Sequence, residues 1–316
     1  MNTPKVSVLC TTYNQSKYIE QCLKSLLNQI TDFDYEIIVH DDASTDGTTD
    51  ILNEYKKRYK DKIVLILQKK NQYSQHVNID ATYLLPKAKG EYIALCEGDD
   101  FWTDSYKLQR QYEFMEKNKE YSLCAHAGYY ADENGEIIND KTFMPFNKSR
   151  TVTMEQVLTG WNFPTNSLFI RRESYGDGVV PFRGDCANGD YALTVYLATK
   201  GKIYYMSELM SAYRLNSVGS LNWVWRHNPQ KYIDVRTKYI SMLDRIDAYT
   251  DKEYHDCIDD YKHAVEFELA LFKGDYPTAV KDRKRYKDLS TLERLKLMIK
   301  YRLPSVVCFA RKWRSK

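Results

Sequence analysis

The seven cysteines of this 316-residue sequence form no CxxC pair and no spacing typical of a zinc site. They lie at positions 10, 22, 96, 124, 186, 257 and 308, several of them inside apolar runs. A scatter of this kind is typical of free thiols that pack as small hydrophobic side chains. We therefore expect a reducing, cytoplasmic environment, and the length suffices to bury a core without a disulfide or a structural metal.

Long apolar runs are also missing. No stretch approaches the roughly 18 consecutive apolar residues of a membrane-spanning helix. The first residues, MNTPKVSVLC, lack the basic segment and apolar stretch of a secretory signal peptide. We therefore expect a chain that does not cross a membrane.

Net charge is small but unevenly distributed. The formal net charge is +3, yet residues 281–316 hold 13 Lys and Arg against 3 Asp and Glu, which leaves −7 for residues 1–280. The basic tail alternates aliphatic and cationic residues, which favours a helix at an anionic membrane surface. A helix packed on the domain with its charges in water explains the same pattern. A nucleic-acid partner is not expected, because the rest of the chain is acidic and no binding module is recognisable.

The first hundred residues alternate strand and helix patterns. KVSVLC, EIIVH, IVLIL and YIALC read as strands, and apolar residues between the first two recur with helical spacing from Ile19 to Ile30. This alternation predicts an α/β fold with a mostly parallel sheet flanked by helices. Residues 104–225 predict a mixed second half of the same domain. From about residue 229 only helical periodicity remains, so we predict one domain over residues 1–225 and a helical C-terminal extension over 226–316.

A dinucleotide-binding GxGxxG motif is absent after the first strand, where TTYNQS stands instead, and this argues against a dehydrogenase. Polar clusters do follow the predicted strands: TTYN (11–14), DDASTDGT (41–48) and CEGDDFW (96–102). A fourth, NGDY (188–191), opens a predicted helix. Carboxylates from separate strands converge at one sheet edge, where like charges repel unless a cation or a donor-rich ligand lies among them.

Asp99 and Asp100 are suited to hold a divalent cation that binds through one or two carboxylates and a ligand's phosphates. Such a cation stabilises a leaving diphosphate. Asp41 is suited to accept a hydrogen bond from a base, and Tyr13 to stack on one. Spacing alone also fits a solvated turn at the Asp pair and a core position for Tyr13.

Together, VSVLCTTYNQ, IIVHDDASTDGT, AKGEYIALCEGDDFW and the later GDY resemble the family 2 glycosyltransferases of the GT-A fold over roughly residues 4–220. The resemblance implies inverting transfer of a sugar from a nucleotide diphosphate donor. It places Thr11, Tyr13 and Asp41 at the nucleobase, usually uracil. Asp99 and Asp100 become the pair at the ribose, diphosphate and metal, with Mn²⁺ or Mg²⁺ as cofactor.

Asp190 becomes the catalytic base by this resemblance. Direct displacement needs a group that takes the proton of the acceptor hydroxyl opposite the leaving group, and Asp190 lies far from the metal pair in sequence. Without the resemblance, an Asp at a helix start is more often an N-cap. Relatives also carry a loop over the nucleotide near residues 68–78, where Asn71 is a candidate nucleotide contact.

One position departs from the pattern of many relatives. After Tyr213 and Arg214 they place a His, and here Asn216 stands in its place. Arg214 and Asn216 are candidate diphosphate contacts. Asn binds a hard cation more weakly than a charged ligand does, so a non-catalytic nucleotide-sugar binding protein remains the alternative function.

The sequence thus predicts a hexosyl- or N-acetylhexosaminyltransferase that uses a UDP-sugar. The expected acceptor is a glycan or lipid-linked hydroxyl in bacterial cell-surface polysaccharide synthesis. We expect it in the cytoplasm, peripheral at the inner face of the cell membrane.

Overall fold

The structure, a computed structural model, describes residues 3–160, 163–215, 217 and 227–302. The chain divides into two compact units, Met1–His227 and Asn228–Lys316. The domain boundary that the sequence predicts after residue 225 stays a prediction, because compactness alone does not define it.

The first unit is built on one sheet, which has ten strands in the described part of the chain. The strands are β1 (Val6–Thr12), β2 (Tyr35–Asp41), β3 (Ile63–Leu67), β4 (Tyr92–Leu95), β5 (Phe101–Trp102), β6 (Tyr121–Ala131), β7 (Ile137–Phe143), β8 (Arg150–Val152), β9 (Phe169–Arg171) and β10 (Lys202–Arg214). The predicted strands of the first hundred residues are therefore confirmed, and the two-residue strand β5 is an addition that no periodicity could reveal.

Strand order along the main path is β3-β2-β1-β4-β9-β6-β10-β5. The first half is parallel: β1 pairs with β2 and β4, and β2 pairs with β3. In the second half β9 runs antiparallel to both β4 and β6, whereas β10 runs parallel to β6. Because Thr12 is the register partner of Asp41 in the parallel pair, the polar loops after β1 and β2 begin side by side.

Six helices accompany this sheet in the described residues of the first unit. They are α1 (Ile19–Leu27), α2 (Thr48–Arg58), α3 (Lys107–Lys117), α4 (Met154–Leu158), α5 (Arg172–Tyr175) and α6 (Gly189–Ala198). Helix α1 buries Ile19, Cys22, Leu23 and Leu26 on one face, as its spacing predicts. The helix ends before Ile30, which is half exposed and donates its backbone N–H to Ser105 instead of continuing the pattern.

The main core lies where β1, β2 and β4 meet α1, α2 and α3, and it is continuous from Val6 to Met210. Three thiols meet inside it: Cys22 Sγ lies 4.0 Å from Cys10 Sγ and 3.9 Å from Cys96 Sγ. The cysteines that the structure describes are all free thiols, and most of them are buried. They pack as the small apolar side chains that the sequence indicates.

The second unit is helical over its described residues. Its helices are α7 (Pro229–Tyr249), α8 (His255–Lys273), α9 (Tyr276–Lys281), α10 (Arg283–Asp288) and α11 (Thr291–Arg302). A small core of Phe267, Ala270, Ala279 and Leu297 ties α8, α9 and α11 together. Of the helices in the described ranges, none combines the length and apolar character needed to span a bilayer.

Candidate active site

The loops after β1 and β2 hold each other through main-chain and side-chain hydrogen bonds. Asn14 N donates to Ser44 Oγ at 2.8 Å, and Thr45 N donates to Asn14 Oδ1 at 2.8 Å. Asn14 (φ 52°) and Ala43 (φ 66°) both adopt the left-handed conformation that non-glycine residues rarely occupy. Backbone strain of this kind is tolerated where surrounding contacts fix the loop, and it clusters at functional sites.

Asp41 lies at the end of β2 and is buried within its own loop. Its Oδ1 accepts hydrogen bonds from Ser44 N and Oγ, and its Oδ2 accepts one from Thr49 Oγ1 at 2.5 Å. Thr11 is half-buried beside it, whereas Tyr13 exposes 48% of its surface. The structure therefore brings the three predicted base contacts to one edge of the sheet, and Tyr13 is the one whose side chain is open to solvent.

Asp42, which the sequence analysis did not single out, holds the segment after β3. Its two carboxylate oxygens accept from Gln72 N at 2.7 Å and Tyr73 N at 3.0 Å. Asn71 Nδ2 donates to Asp42 O at 3.2 Å. This contact places Asn71 against the β2 loop, on the same side of the sheet as Asp41.

Asp99 and Asp100 follow β4 and have different surroundings. Asp99 is half-buried, and its Oδ2 accepts a hydrogen bond from Ser217 Oγ at 2.8 Å. Asp100 is buried, and its two oxygens accept from Arg214 N and from Asn166 Nδ2, both at 2.9 Å. Burial raises the pKa of both carboxyls, and the charges of Asp99 and Glu97 raise the pKa of Asp100 further.

Glu97 completes a carboxylate cluster that spacing alone did not reveal. Burial, followed by the negative charges of Asp99, Asp190 and Asp80, raises the pKa of Glu97 to about 8. Burial and then the charges of the same cluster also raise the pKa of Tyr213. The structure therefore brings Asp190, some 90 residues away in sequence, to the carboxylates that follow β4.

Asp190 occupies the first turn of α6, and Asn188 holds the N-cap position, so Asp190 is not the capping residue. Its Oδ1 accepts a hydrogen bond from Tyr191 N at 2.8 Å. Burial raises the pKa of Asp190, and the positive charge of Arg183 opposes that rise. Arg183 packs against the start of the helix, since a Cβ added at Gly189 would lie 3.1 Å from its guanidinium carbon.

Arg214 is buried, and its guanidinium is directed at protein oxygens. Nε donates to Asp99 O at 2.8 Å, Nη2 to Gln21 Oε1 at 2.7 Å, and Nη1 to the carbonyls of Asp132 and Glu133. This geometry fixes the loop that carries Asp99, and a contact between Arg214 and a diphosphate stays a prediction. Asn216, the other predicted diphosphate contact, lies outside the described residues.

The chemistry of the cluster fits a hard divalent cation. Glu97 and Asp99 would supply the oxygen ligands, and a bound cation would relieve the repulsion between their charges. Within the described ranges no group of three or more His, Cys, Asp and Glu side chains has the arrangement of a metal site. A cation held by one or two carboxylates, with water and a ligand's phosphates completing its coordination, agrees with both observations.

Comparison with known proteins identifies this arrangement. The sequence profile described as glycosyl transferase family 2 matches residues 7–176, more than half of the chain. This protein belongs to glycosyltransferase family 2. The matched range carries the two polar loops and the carboxylates after β4, and the recognition made from the sequence is confirmed.

Relatives of this glycosyltransferase agree with the assignment. An uncharacterized protein of Mycobacterium tuberculosis is 36% identical over 218 residues, which cover 68% of this chain and 60% of that protein. The putative teichuronic acid biosynthesis glycosyltransferase TuaG of Bacillus subtilis is 31% identical over 224 residues, 70% of this chain and 83% of TuaG. The chain thus spans about 60% of the length of its mycobacterial relative.

Solved structures confirm the GT-A fold of this glycosyltransferase. Staphylococcus aureus TarS 1–349 in complex with UDP-GlcNAc has a TM-score of 0.58 at 18% identity, covering 92% of this chain and 77% of that one. The mannosyltransferase PcManGT from Pyrobaculum calidifontis, in complex with GDP-Man and Mn²⁺, has a TM-score of 0.60 at 17% identity, covering 100% and 84%. At this level of identity the likeness is one of fold.

Proposed function

We propose that this protein is an inverting glycosyltransferase that moves a sugar from a UDP-sugar to a hydroxyl of a glycan or lipid-linked acceptor. The convergence of Asp190 with Glu97 and Asp99 carries the proposal. Transfer with inversion needs a proton acceptor and an anion-stabilising group on opposite faces of the reacting carbon. Two chain segments remote in sequence supply these groups in one cluster.

In this proposal Thr11, Tyr13, Asp41 and Asn71 bind the nucleoside. Tyr13 is open to solvent and offers its ring for stacking on the base. The hydroxyls of Ser44 and Thr49 orient the carboxyl group of Asp41 at the end of β2, and in this proposal a base N–H donates to that group. Asn71 is fixed beside it through the Asp42 carbonyl.

Asp99, with Glu97 beside it, would hold Mn²⁺ or Mg²⁺ together with the donor diphosphate. When bound, the cation neutralises the charge that develops on the leaving diphosphate. Asp100 is the less accessible of the adjacent pair, and its hydrogen bonds with Arg214 N and Asn166 Nδ2 give it a supporting role. Arg214 holds the main chain of Asp99 in place.

Asp190 would act as the base that removes the proton from the acceptor hydroxyl. A carboxylate with a raised pKa is a stronger proton acceptor than a solvated one, and burial supplies that rise here. The neighbouring Arg183 charge opposes that rise.

The names of relatives guide the choice of donor and pathway. TuaG is named for teichuronic acid biosynthesis, and the TarS structure holds UDP-GlcNAc. We therefore propose a UDP-hexose or UDP-N-acetylhexosamine donor and a role in bacterial surface-polysaccharide synthesis.

A calorimetric titration of UDP with and without Mn²⁺ tests the donor site without knowledge of the acceptor. We expect Mn²⁺ to strengthen UDP binding, and Asp99→Asn to weaken the Mn²⁺-dependent part about tenfold or more, because removal of a metal carboxylate costs at least that much. Asp61→Asn, a change at an exposed aspartate, is the control and should bind as wild type does. Equal UDP binding with and without Mn²⁺ contradicts the metal proposal.

Asp190→Asn tests the base. The variant keeps size and hydrogen bonding but cannot accept the proton, so UDP release from the donor sugar should fall by about 10²-fold or more. Its UDP affinity should stay within about threefold of wild type. Transfer at the wild-type rate would remove Asp190 from this role.

The alternative, a binding protein without turnover, rests on Asn216 at a position where many relatives place a His. It predicts Mn²⁺-dependent UDP binding together with no release of UDP from any UDP-sugar in a panel of donors and glycan acceptors. If wild-type protein releases UDP and Asp190→Asn abolishes that release, the protein is an enzyme and the alternative is excluded.

We also propose that the C-terminal extension binds an anionic membrane surface. Helix α11 exposes Leu292, Leu295 and Ile299, each at 42% or more, at spacings that place them on one helical face. Lys296 and Lys300 border this stripe on one side and Arg302 on the other. An apolar stripe between cations is the pattern of a helix that lies in a membrane interface, here the inner face of the cell membrane.

A further inference from the structure

A short turn of the first unit contacts the carboxylate cluster and has no part in the function described so far. Residues Thr165–Ser167 form a single 3₁₀ turn between α4 and β9, preceded by Pro164 in an extended conformation. The turn packs against β4, β6 and β10. It therefore lies where the strands that carry the cluster come together.

Two consecutive residues of this turn bind two different carboxylates of the EGDD segment. The Thr165 side chain lies close enough to Glu97 to lower the pKa of that carboxyl, and Asn166 Nδ2 donates to Asp100 Oδ2 at 2.9 Å. Asp99 lies between these two carboxylates in sequence. The turn thus holds the acidic residues on both sides of the proposed metal ligand.

The side chain of Asn166 is completely buried and uses both ends of its amide. Nδ2 donates a second hydrogen bond to Ala212 O at 3.1 Å, and Oδ1 accepts one from Ser211 Oγ at 2.8 Å. Trp102 Nε1 donates to the Asn166 carbonyl at 2.9 Å. Hydrogen bonds from both β5 and β10 therefore fix the turn, so it has little freedom to change conformation when a ligand binds.

Neutral donors have a specific use among converging anions. They keep each carboxylate hydrogen-bonded, and thus oriented, without cancelling the negative charge that attracts a cation. A Lys or Arg in the same place would compete with the metal for the carboxylates. The Thr165 hydroxyl and the Asn166 amide are both neutral donor groups, and the amide donates to Asp100.

We infer that the Thr165–Ser167 turn is a positioning element, which orients Glu97 and Asp100 around Asp99 so that the cation and donor diphosphate bind to a preformed cluster. This inference rests on the proposed function. Thr165 and Asn166 act through the carboxylates and touch neither the nucleotide nor the reacting atoms. Conservative substitutions that remove their donor groups should therefore change the Mn²⁺ dependence of UDP binding more than they change folding.

The experiment measures the Mn²⁺ concentration that gives half-maximal UDP binding in the full-length protein, together with the thermal unfolding midpoint. Thr165→Val is nearly isosteric and removes the hydroxyl, whereas Thr165→Ser retains it. Ser122→Ala is the matched control, since Ser122 is buried and its hydroxyl bonds the Leu197 carbonyl, away from the cluster. Asn166→Asp replaces the donor to Asp100 with an additional carboxylate of similar shape.

We expect Thr165→Val to raise the required Mn²⁺ concentration about tenfold or more, in line with the loss of residues that orient metal ligands. Thr165→Ser should stay within about threefold of wild type. Ser122→Ala should lower the unfolding midpoint without changing the Mn²⁺ dependence. Asn166→Asp should weaken Mn²⁺-dependent UDP binding at least as much as Thr165→Val does.

Wild-type Mn²⁺ dependence in Thr165→Val overturns the inference, and so does a fall in unfolding midpoint with no change in Mn²⁺ dependence. If Thr165→Val does not fold, Asn166→Asp takes its place, and either of these two outcomes in Asn166→Asp overturns the inference. Failure of the wild-type protein to bind UDP in any condition is a different result, because it overturns the proposed function itself.

Discussion

Asp99 and Asp100 are adjacent in sequence and share one chemistry, yet their surroundings separate them. Asp99 is half-buried, and a hydroxyl is hydrogen-bonded to one of its carboxylate oxygens. Asp100 is buried, and its two oxygens accept from a main-chain N–H and an amide. The residue better placed to reach a ligand is therefore Asp99, a distinction that the motif alone does not make.

Lys107 is a second residue whose surroundings determine its chemistry. It is completely buried, its Nζ donates to Gln111 Oε1 at 2.8 Å, and the ammonium lies 4.0 Å from the centre of the Trp102 ring. Burial lowers the pKa of Lys107 to about 7. A lysine in this state carries a stability cost that depends on pH.

The sign of that dependence follows from proton counting. Between about pH 7 and the ordinary lysine pKa near 10.5, the unfolded chain keeps the Lys107 proton and the folded chain has lost it. The unfolded state then binds more protons, so this group makes the free energy of unfolding rise with pH, by at most about 1.4 kcal/mol per pH unit. Below pH 7 both states are protonated and the contribution is flat.

We expect Lys107→Met to remove this dependence. The variant should gain most stability relative to wild type near pH 7, and the gain should shrink as pH rises towards 10. Denaturant unfolding of both proteins at several pH values measures the difference, in which contributions from other groups cancel. A difference independent of pH would contradict the lowered pKa.

The meeting of the motif residues at one sheet edge was predictable from the sequence, whereas contacts between segments remote in sequence were not. Thr11 and Asp41 lie at the ends of β1 and β2, and Tyr13 directly follows β1, so their meeting could be expected from the sequence. Asn166 has no comparable signal, because its partners lie on segments some 45 and 66 residues away. The sequence shows Glu97 two residues before Asp99, but only the fold shows which carboxylates lie near it.

At the scale of elements, the parallel half of the sheet was predictable because each of its strands is an apolar run bounded by polar residues. The second half was not, since β9 has three residues and β5 has two, too few for any periodicity. Their positions depend on antiparallel pairing with β4, β6 and β10. Short strands of this kind are defined by the partners that surround them.

A close approach of two backbones fixes the start of β4 against β1. Gly90 N donates to Ser7 Oγ at 2.8 Å, and a Cβ added at Gly90 would lie 2.5 Å from Ser7 N and 2.7 Å from Val6 C. Both of these neighbours are main-chain atoms within the sheet, which cannot move aside without disturbing the pairing of β1. Only glycine fits this position without displacement.

We expect Gly90→Ala to lower the free energy of unfolding by about 1–3 kcal/mol through overpacking. Gly176→Ala is the control, since no atom lies within 4 Å of its added Cβ and its φ of +62° costs about 1 kcal/mol alone. Urea unfolding of both variants gives the comparison. Equal losses would show that the contact with β1 relaxes freely.

At the scale of the whole molecule, the positive charge is concentrated near the end of the sequence. The excess of basic residues lies in residues 281–316, within the second unit, and the carboxylate cluster lies in the first. The stripe on α11 combines exposed leucine and isoleucine with flanking cations, which suits an anionic bilayer better than water. This pattern allows the apolar and the electrostatic parts of membrane binding to be separated by mutation.

Wild-type protein should sediment with vesicles that contain an anionic lipid and not with neutral vesicles. Replacing Lys296 and Lys300 by Gln should weaken this binding about tenfold or more, since each cation near the surface contributes about 1 kcal/mol. Replacing Leu295 and Ile299 by Ser should weaken vesicle binding as well, because it removes the apolar contact. Added salt, which acts on the charges, should not reproduce this loss. Lys57→Gln combined with Lys60→Gln, two exposed lysines of the first unit, is the control for charge.

An equal loss in the Lys57 and Lys60 control would show that binding follows net charge, and the surface assigned to α11 would be wrong. Sedimentation of wild type with neutral and anionic vesicles alike would point to apolar contact without charge recognition, which also contradicts the proposal.

The contacts of Arg214 and Ser217 with Asp99 have a consequence for the protein during its synthesis. Strands β1 to β4 can pair soon after they leave the ribosome, but the side chains that hold Asp99 are near the end of the first unit. A nascent chain released only as far as β9 carries the acidic segment without these partners. The acidic segment therefore gains these contacts late in synthesis, after nearly all of the first unit has been translated.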